Sequence, residues 1–411
     1  MQDDERYENI IKRFENMLKT NENEFFDLED FLDIIDEYIN LGNFNMAQKA
    51  IEIALEQYEN NVDILLYKAE LFALNDRLEK AEELIVTLKK IDPRRLEIPL
   101  LEAELYSRKH LHKKAIEALQ RALQLPDADK VEIYELMTVE YLYLEDYKSA
   151  LKMALSTLRH DPGSATALYN AITCYDVLNQ TQQAIRFLQN QIKINPFNEV
   201  AWSLLAKKYI DIKNFEKAIE ALDYAIAIDD KFLGAYYDKA YAYTRLKKYD
   251  KALEYYKLTL GISDPTAFTY FHIAQIYELL KDDDQAVKYY LLAVNEDPGH
   301  YKSWIKIVRL YINRNQLDKA LEWCQKALEI INNQELFELL GDIYLLKNES
   351  QKAIPAFEMS LKLGTAQLPV ILKLADLYKK HRQIDDWRNL LLEAKKQFPD
   401  SKEILNRMTG Q

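Results

Sequence analysis

The chain has few of the residues that most enzyme sites and small disulfide-bonded domains need. Its 411 residues include 2 cysteines, 6 histidines and 8 glycines. So few glycines make a glycine-rich phosphate-binding loop hard to build, and neither Gly-Lys-Ser/Thr nor Gly-x-Gly-x-x-Gly occurs. The hydrolase pattern Gly-x-Ser-x-Gly and the metalloprotease pattern His-Glu-x-x-His are also absent. We therefore predict no enzyme activity, no cofactor and no catalytic residue.

The scarce cysteines and histidines also argue against a disulfide or a metal centre. Cys174 and Cys324 both lie inside amphipathic helical patterns, which is typical of small core residues in a reducing compartment. His110 and His112 form the one close histidine pair. A zinc site would need two further ligands from elsewhere, so a solvated turn is the favoured interpretation and a metal site the alternative.

Targeting signals and long apolar runs are missing too. The N-terminus lacks the basic and apolar segments of a secretory signal, and no apolar run approaches ~18 residues. These absences predict a cytoplasmic protein without a membrane span. A net charge of −13 argues against nucleic acid as the main ligand, because phosphate binding needs a basic surface. Frequent Lys, Glu, Asn, Ile and Tyr suggest a bacterial, low-GC source.

The negative charge is concentrated at one end of the chain. Residues 1–60 contain 16 acidic and 5 basic side chains, which accounts for most of the net charge of −13. Two interpretations remain open for this region. It either keeps the end of the molecule in solution or docks a basic partner.

What the sequence does contain is an internal repeat of about 34 residues. An alanine returns at this spacing along most of the chain: Ala47, Ala81, Ala115, Ala150, Ala184, Ala218, Ala252, Ala286, Ala320 and Ala353. Nine residues before each alanine, and before Trp387 one step further on, lies an aromatic: Tyr38, Phe72, Tyr106, Tyr141, Tyr175, Tyr209, Tyr243, Tyr277, Tyr311, Tyr344 and Tyr378. Ten of the 28 tyrosines therefore have one shared structural role.

Each repeat reads as two helices joined by a short turn. Residues 199–232 carry two apolar stripes at helical spacing: Trp202, Leu205, Ala206 and Tyr209, then Phe215, Ala218, Leu222 and Ala225. The four-residue turn 211–214 is long enough only for an antiparallel pair. Proline closes many repeats, as in Asp92-Pro93 and Asn195-Pro196, because it pushes the preceding residue out of helical geometry.

This pattern resembles the tetratricopeptide repeat family, whose 34-residue helix-turn-helix carries the same series of aromatic, alanine and proline positions. The resemblance implies an all-α solenoid, a right-handed superhelix of eleven hairpins over residues 28–401. The hairpins are expected to start at 28, 62, 96, 131, 165, 199, 233, 267, 301, 334 and 368. Pro355 should kink the second helix of repeat ten or delay its start.

Capping helices are expected at both ends, because the first and last repeats of a solenoid expose an apolar face. Residues 1–27 should form an acidic lead-in and a capping helix that turns Ile10, Ile11, Phe14, Met17 and Leu18 toward the first repeat. Residues 402–411 should form a second cap, with Ser401 as N-cap and Ile404, Leu405 and Met408 facing repeat eleven.

The resemblance also implies a ligand surface, since the family usually binds peptides in the concave groove formed by the first helix of each repeat. The outward positions of repeats one to four are acidic: Glu29, Asp33, Asp36, Asp63, Glu70, Glu97, Glu104, Glu132 and Glu135. They would attract a basic segment or simply keep the surface hydrated. The best predicted binding patch lies in repeats five to nine: Tyr169, Asn170, Thr173, Lys207, Tyr237, Tyr241, Phe271, His272, Gln275, Lys302, Lys306 and Arg309.

Two structural roles are the alternatives to ligand binding for that patch. Its aromatic side chains could pack against one another, and its charged side chains could form ion pairs between repeats nine and ten. A clamp of the kind that holds chaperone tails is absent, since only Asn170 matches it and Glu135, Val139, Val200 and Leu204 do not. We therefore predict a non-enzymatic scaffold that binds a protein or peptide. The alternative is a peptide-sensing regulator that acts on a separate effector chain, and self-association through the solenoid ends stays open.

Overall fold

The computed structural model of the chain describes residues 2–20, 24–365 and 367–409. Within these ranges the regular structure is entirely helical and comprises 24 α-helices and one short 3-10 helix. The all-α prediction is therefore confirmed. Residues 1 and 21–23 of the predicted lead-in and residues 410–411 of the predicted C-terminal cap lie outside the described ranges.

The chain divides into two compact units, Met1–Ala201 and Trp202–Gln411. The first unit contains α1 (Gln2–Thr20), α2 (Leu28–Asn40), α3 (Phe44–Gln57), α4 (Val62–Leu74), α5 (Leu78–Ile91), α6 (Glu97–Arg108), α7 (His112–Ala122), α8 (Lys130–Tyr143), α9 (Tyr147–His160), α10 (Ala165–Val177) and α11 (Thr181–Ile194). The division falls in the first turn of α12 (Glu199–Asp211).

The second unit continues the series of helices. It contains most of α12, then α13 (Phe215–Ile228), α14 (Leu233–Arg245), α15 (Tyr249–Leu258) with the 3-10 helix Thr259–Gly261, α16 (Ala267–Leu279), α17 (Asp283–Glu296), α18 (Tyr301–Asn313), α19 (Leu317–Ile330), α20 (Gln334–Leu346), α21 (Ser350–Leu363), α22 (Leu368–Lys380), α23 (Ile384–Gln397) and α24 (Lys402–Thr409). Helices α2 to α23 thus form eleven hairpins.

Every hairpin turn uses the same backbone geometry. Its left-handed residue recurs at the repeat spacing: Gly42, Asp76, His110, Glu145, Asn179, Lys213, Lys247, Lys281, Asn315, Asn348 and Arg382. The residue that follows donates its N–H to the carbonyl of the repeated aromatic, as in Asn43 to Tyr38 at 2.8 Å and Arg77 to Phe72 at 2.8 Å. This is the bond that closes a helix C-terminus in the Schellman arrangement. The repeated aromatic therefore also marks where the first helix ends.

The repeated small residues lie where the helices approach closely. All ten alanines that recur at the repeat spacing, from Ala47 to Ala353, are fully buried. Gly341 shows how little room is left, since a Cβ there would come within 2.6 Å of the Phe357 ring. A larger side chain at these positions would force the paired helices apart.

The terminal helices cover the apolar faces of their neighbours. Ile10, Phe14 and Met17 of α1 are buried, and the Phe14 ring lies 6.0 Å from that of Phe26 and 6.2 Å from that of Tyr38. At the other end, Ser401 Oγ accepts the N–H of Ile404, and Ile404 is fully buried beside α22 and α23. These apolar contacts remove surface that each unit would otherwise expose.

Pro355 does not delay the helix that contains it, contrary to one of the two outcomes expected. Helix α21 begins at Ser350 and continues through Pro355, which is its sixth residue. A proline at this depth lacks the N–H that would bond to the carbonyl four residues earlier. The buried side chains on either side, Ile354 and Ala356, keep the segment packed in the helical register.

Candidate functional site

A cleft of about 760 Å³ opens in the first unit along the first helices of repeats two, three and four. Its walls come mainly from α4, α6 and α8, and we call it the acidic cleft. The lining residues are Leu32, Asp63, Leu66, Tyr67, Glu70, Arg95, Glu97, Leu100, Leu101, Ala103, Glu104, Ser107, Leu119, Glu132, Leu136, Val139, Glu140 and Tyr143. Clefts of this size are common ligand sites in proteins.

The helical period explains why these residues share the cleft. Asp63, Leu66, Tyr67 and Glu70 occupy the second, fifth, sixth and ninth positions of repeat two. The same positions in repeat three hold Glu97, Leu100, Leu101 and Glu104. The fourth and eighth positions turn the opposite way and are buried, as Leu65 and Ala69 are in α4.

Carboxylates outnumber cations in this lining by six to one. The single cation, Arg95, is already held, because its Nη2 lies 2.6 Å from Asp63 Oδ1 and its Nε lies 2.9 Å from Glu97 Oε2. Glu104 pairs with Arg108 of its own helix in an exposed pair. Across the described part of the chain, the side chains of Glu70 and Glu132 have no ion-pair partner. The cleft therefore keeps uncompensated negative charge.

Glu70 shows the electrostatic consequence most clearly. It is half-buried on α4, and burial raises the pKa of its carboxyl, as do the nearby Glu104 and Asp36 carboxylates. A carboxylate that is both desolvated and surrounded by like charges favours a cation in its neighbourhood. Structural ion pairing within the described residues does not supply that cation.

Next to the cleft residues Glu140 and Tyr143 lies a histidine that is less exposed than expected. His112 Nδ1 lies 2.8 Å from Glu140 Oε2, and the His112 ring stacks on Tyr143 at 4.9 Å. The prediction of a solvated turn is therefore wrong for His112, although His110 in the same turn is exposed. The physical reason is that α8 of the next repeat packs over the start of α7.

Apolar side chains between the carboxylates make the cleft more than a hydrated acidic surface. Leu136, Val139 and Tyr143 are exposed on α8, and Leu66 and Leu100 are half-buried beside them. Sequence reasoning noted the acidic positions of this face but not the leucines at the positions between them. The signal was present, because Leu66, Leu100 and Leu136 all occupy the fifth or sixth position of their repeats.

Three residues of the predicted binding patch also lie in the first unit, on α10. Tyr169 and Thr173 are exposed and Asn170 is partly exposed. The Thr173 hydroxyl donates to the Tyr169 carbonyl at 2.9 Å, so it is engaged with its own helix. The Tyr169 ring and the Asn170 amide are accessible in this unit.

The other predicted patch residues lie in the second unit, beginning with α12 and α14. Tyr241 is 42% exposed, whereas Tyr237 is half-buried, with its ring 5.3 Å from Phe268 and its hydroxyl bonded to Thr269. Lys207 Nζ lies 4.0 Å from Asp238 Oδ2. Burial raises the pKa of Asp238, and Lys207 partly opposes that effect. Tyr237 therefore follows the alternative of mutual aromatic packing.

Helix α16 does not present Phe271 to a ligand as expected. Phe271 is only 9% exposed, and its ring lies 5.6 Å from that of Tyr290 and 5.0 Å from that of His300. His272 stacks on Tyr256 at 5.5 Å, and burial lowers its pKa while a hydrogen bond with Gln275 raises it. The turn before α18 covers this part of α16, which explains the difference.

The cationic stripe of α18 is mostly engaged in ion pairs between repeats. Lys306 Nζ lies 3.0 Å from Glu278 Oε2 on α16, and Arg309 Nη2 lies 2.6 Å from Glu335 Oε1 on α20. Lys302 is exposed, and none of the described carboxylates forms an ion pair with it. Only Arg309 follows the alternative of pairing between repeats nine and ten, because Lys306 pairs with repeat eight instead.

The described ranges 2–20, 24–365 and 367–409 contain neither a metal-binding cluster nor a membrane span. No group of three or more histidine, cysteine, aspartate or glutamate side chains there could hold a metal ion. No helix in those ranges is both long and apolar enough to span a bilayer. Cys174 and Cys324 are buried and unbridged, and burial raises the pKa of these thiols to about 11 and about 12.

Comparison with known families identifies the repeat. Two models described as "Tetratricopeptide repeat" match this chain, one at residues 32–95 and 204–267 and the other at 269–300 and 301–334. The chain is a tetratricopeptide repeat protein. A model described as "Anaphase-promoting complex, cyclosome, subunit 3" matches residues 144–225, so this part of the tetratricopeptide array is similar to that subunit.

Individual relatives of this tetratricopeptide protein share limited identity with it. Anaphase-promoting complex subunit 3 of Schizosaccharomyces pombe (strain 972 / ATCC 24843) is 27% identical over 138 residues, which are 34% of this chain and 21% of that protein. The chain thus spans about a fifth of the length of this curated relative.

Solved structures of tetratricopeptide proteins are also similar to this chain. A tetratricopeptide repeat protein from Parabacteroides merdae ATCC 43184 is 17% identical, with 60% of this chain and 98% of that chain covered and a TM-score of 0.42. YrrB, described as having an unusual peptide-binding site, is 17% identical, with 45% and 95% covered and a TM-score of 0.36.

The variant Glu70→Gln is expected to stabilise the first unit near neutral pH and to lose that advantage in acid. Because the folded state raises the Glu70 pKa above its unfolded value of 4.5, ionised Glu70 costs folding free energy above the folded-state pKa. The cost disappears below the unfolded value, where both states are protonated. Urea denaturation midpoints, followed by circular dichroism near neutrality and in acid, measure the difference.

The control for this comparison is Glu83→Gln, which removes an exposed charge from α5, away from the cleft. It should leave the midpoint nearly unchanged at both pH values. A Glu70→Gln protein that is less stable than the parent near neutrality would contradict the conclusion that burial and the neighbouring carboxylates raise the pKa of Glu70.

Proposed function

We propose that this protein is a non-enzymatic scaffold that binds a peptide or protein partner on the face formed by the first helices of its hairpins. The observation that carries the proposal is the acidic cleft, where this face opens into a concave volume of about 760 Å³ with apolar and charged lining. Tetratricopeptide repeats are in general protein-interaction modules, which supports the same role.

The first helices of the second unit offer a further surface for a partner. Tyr241 on α14 and Lys302 on α18 are exposed there, whereas Phe271 is not. An exposed aromatic ring is typical of binding surfaces. A cation without an ion-pair partner among the described residues can attract a partner of opposite charge. We therefore retain Tyr241 and Lys302 as binding residues and assign Phe271 to the core.

The match to a named subunit of the anaphase-promoting complex supports a role inside a larger assembly. That protein is a subunit of a complex by its name, and its similarity covers 34% of this chain. We propose by analogy that this chain also acts as a component that holds other proteins.

Site-specific photo-crosslinking of the full chain in its native cells tests the proposed binding face. A benzophenone amino acid at Leu136 in the acidic cleft, or at Tyr241, is expected to yield crosslinked partner adducts. Matched positions on second helices, Val86 and Tyr224, are similarly exposed and should yield far fewer. Equal yields from the matched positions, or no adduct from either first-helix position, would contradict the proposal.

A further inference from the structure

We infer that the acidic cleft binds a short peptide in which apolar side chains alternate with lysine or arginine. This inference rests on the proposed function and names the chemistry of one partner. The cleft supplies two kinds of contact, apolar side chains on its walls and carboxylates between them. A ligand that matches both must carry apolar groups and positive charge on the same short segment.

The apolar part of the cleft sets the first requirement. Leu66, Leu100 and Leu136 occur on three successive first helices, and Val139 extends the surface along α8. Leu136 and Val139 are each exposed. Burial of such side chains against an apolar partner removes them from water, which is the main favourable term in most protein association.

Charge complementarity sets the second requirement. Glu70 and Glu132 have no ion-pair partner among the described residues, and the pair between Glu104 and Arg108 is exposed and therefore weak. A lysine or arginine side chain between α4 and α6 would lie near both Glu70 and Glu104, whose carboxylates already interact. Its positive charge would also remove the like-charge repulsion between Glu70 and Glu104.

The same charges exclude the opposite class of ligand. An acidic peptide would need a free cation in the cleft, but Arg95 is held between Asp63 and Glu97. A nucleic acid would be repelled, because its phosphates carry the same charge as the six carboxylates that line the cleft. Both classes therefore fit the cleft poorly.

Fluorescence anisotropy with the full chain and three synthetic peptides tests the inference. The first labelled peptide alternates lysine and leucine, the second replaces lysine by glutamate, and the third replaces leucine by serine. The lysine–leucine peptide is expected to bind at least about tenfold more tightly than either of the others, because each of those lacks one kind of contact. If the lysine–serine peptide binds as tightly as the lysine–leucine peptide, charge alone explains the affinity and the inference is wrong.

Two matched triple variants locate the binding. Glu70→Gln, Glu104→Gln and Glu132→Gln together remove three cleft carboxylates and should weaken the lysine–leucine peptide at least about tenfold. Glu79→Gln, Glu83→Gln and Glu117→Gln remove three exposed carboxylates from second helices and should leave its affinity within about twofold. If both triple variants lose the same affinity for the lysine–leucine peptide, the overall charge of the protein attracts the peptide and the assignment of the site to the cleft is wrong.

A further variant tests the apolar contact without a change of charge. Leu136→Ser replaces an exposed side chain, so the fold should be kept, and the helical circular dichroism signal checks this. The lysine–leucine peptide should bind several-fold more weakly to this variant, whereas binding of the lysine–serine peptide should not change. Unchanged binding of both peptides would contradict the apolar contact.

Failure of this inference and failure of the proposed function give different results. If crosslinks form at Leu136 but the lysine–leucine peptide neither binds nor competes with them, the scaffold function stands and the partner chemistry is wrong. If no first-helix position crosslinks, the proposed function itself is wrong, whatever the peptides do.

Discussion

Replacing Phe271 by alanine is expected to destabilise the second unit by about 3–5 kcal/mol, the range typical of a truncated core phenylalanine. The ring is 9% exposed and packs against Tyr290, which is fully buried, and against His300. Its removal leaves a cavity that the packed helices α16, α17 and α18 can fill only in part. The midpoint of urea unfolding, followed by circular dichroism, measures the loss.

Tyr241→Ala is the matched control for Phe271→Ala. Tyr241 lies on the corresponding face of α14, but 42% of its surface is exposed, so its truncation should cost far less stability. A Phe271→Ala protein with an unchanged midpoint and a selective loss of partner binding would contradict the core assignment. It would return Phe271 to the ligand surface.

The double variant Lys89→Met and Arg121→Met is expected to destabilise the first unit by about 3–5 kcal/mol, as for a buried charge that loses its partners. Glu102 is buried on α6, and its carboxylate lies 2.6 Å from both Lys89 Nζ on α5 and Arg121 Nη2 on α7. Methionine keeps the apolar stems of the two cations but removes their charge. Thermal and urea unfolding of the full chain measure the effect.

Glu102→Gln in the double-variant background tests the origin of that loss. A neutral amide needs no counter-charge, so part of the lost stability should return. Arg108→Met serves as the control, because it breaks only the exposed pair with Glu104 and should cost less than about 1 kcal/mol. A double variant as stable as the parent, or no rescue by Glu102→Gln, would show that the network contributes little.

Much of the fold follows from local sequence. The repeated alanine predicts a close contact between helices, and all ten of these alanines are fully buried. The repeated aromatic predicts a fixed place near the end of the first helix, and its carbonyl closes the turn in the structure. Both are local properties, because a 34-residue period places the same side chain in the same environment of every hairpin.

The site could be predicted only in part, because exposure depends on the neighbouring repeat. Leu136 and Phe271 both occupy outward positions of a first helix, yet one is exposed and the other is in the core. The difference comes from the groups packed against Phe271, because Tyr290 of the paired helix α17 and His300 of the turn before α18 cover its ring. Helical periodicity gives the direction of a side chain, but it does not show which groups lie against it.

The sequence by itself determined that this chain is a series of helical hairpins of the tetratricopeptide type, since repeat length, small residues and turns are encoded locally. It also placed an excess of carboxylates on the outward face of the early repeats. Only the tertiary structure decided which of them stay unpaired: Arg95 holds Asp63 and Glu97, while Glu70 and Glu132 have no ion-pair partner among the described residues. The reason is that pairing and burial depend on distances between repeats, which a linear pattern does not contain.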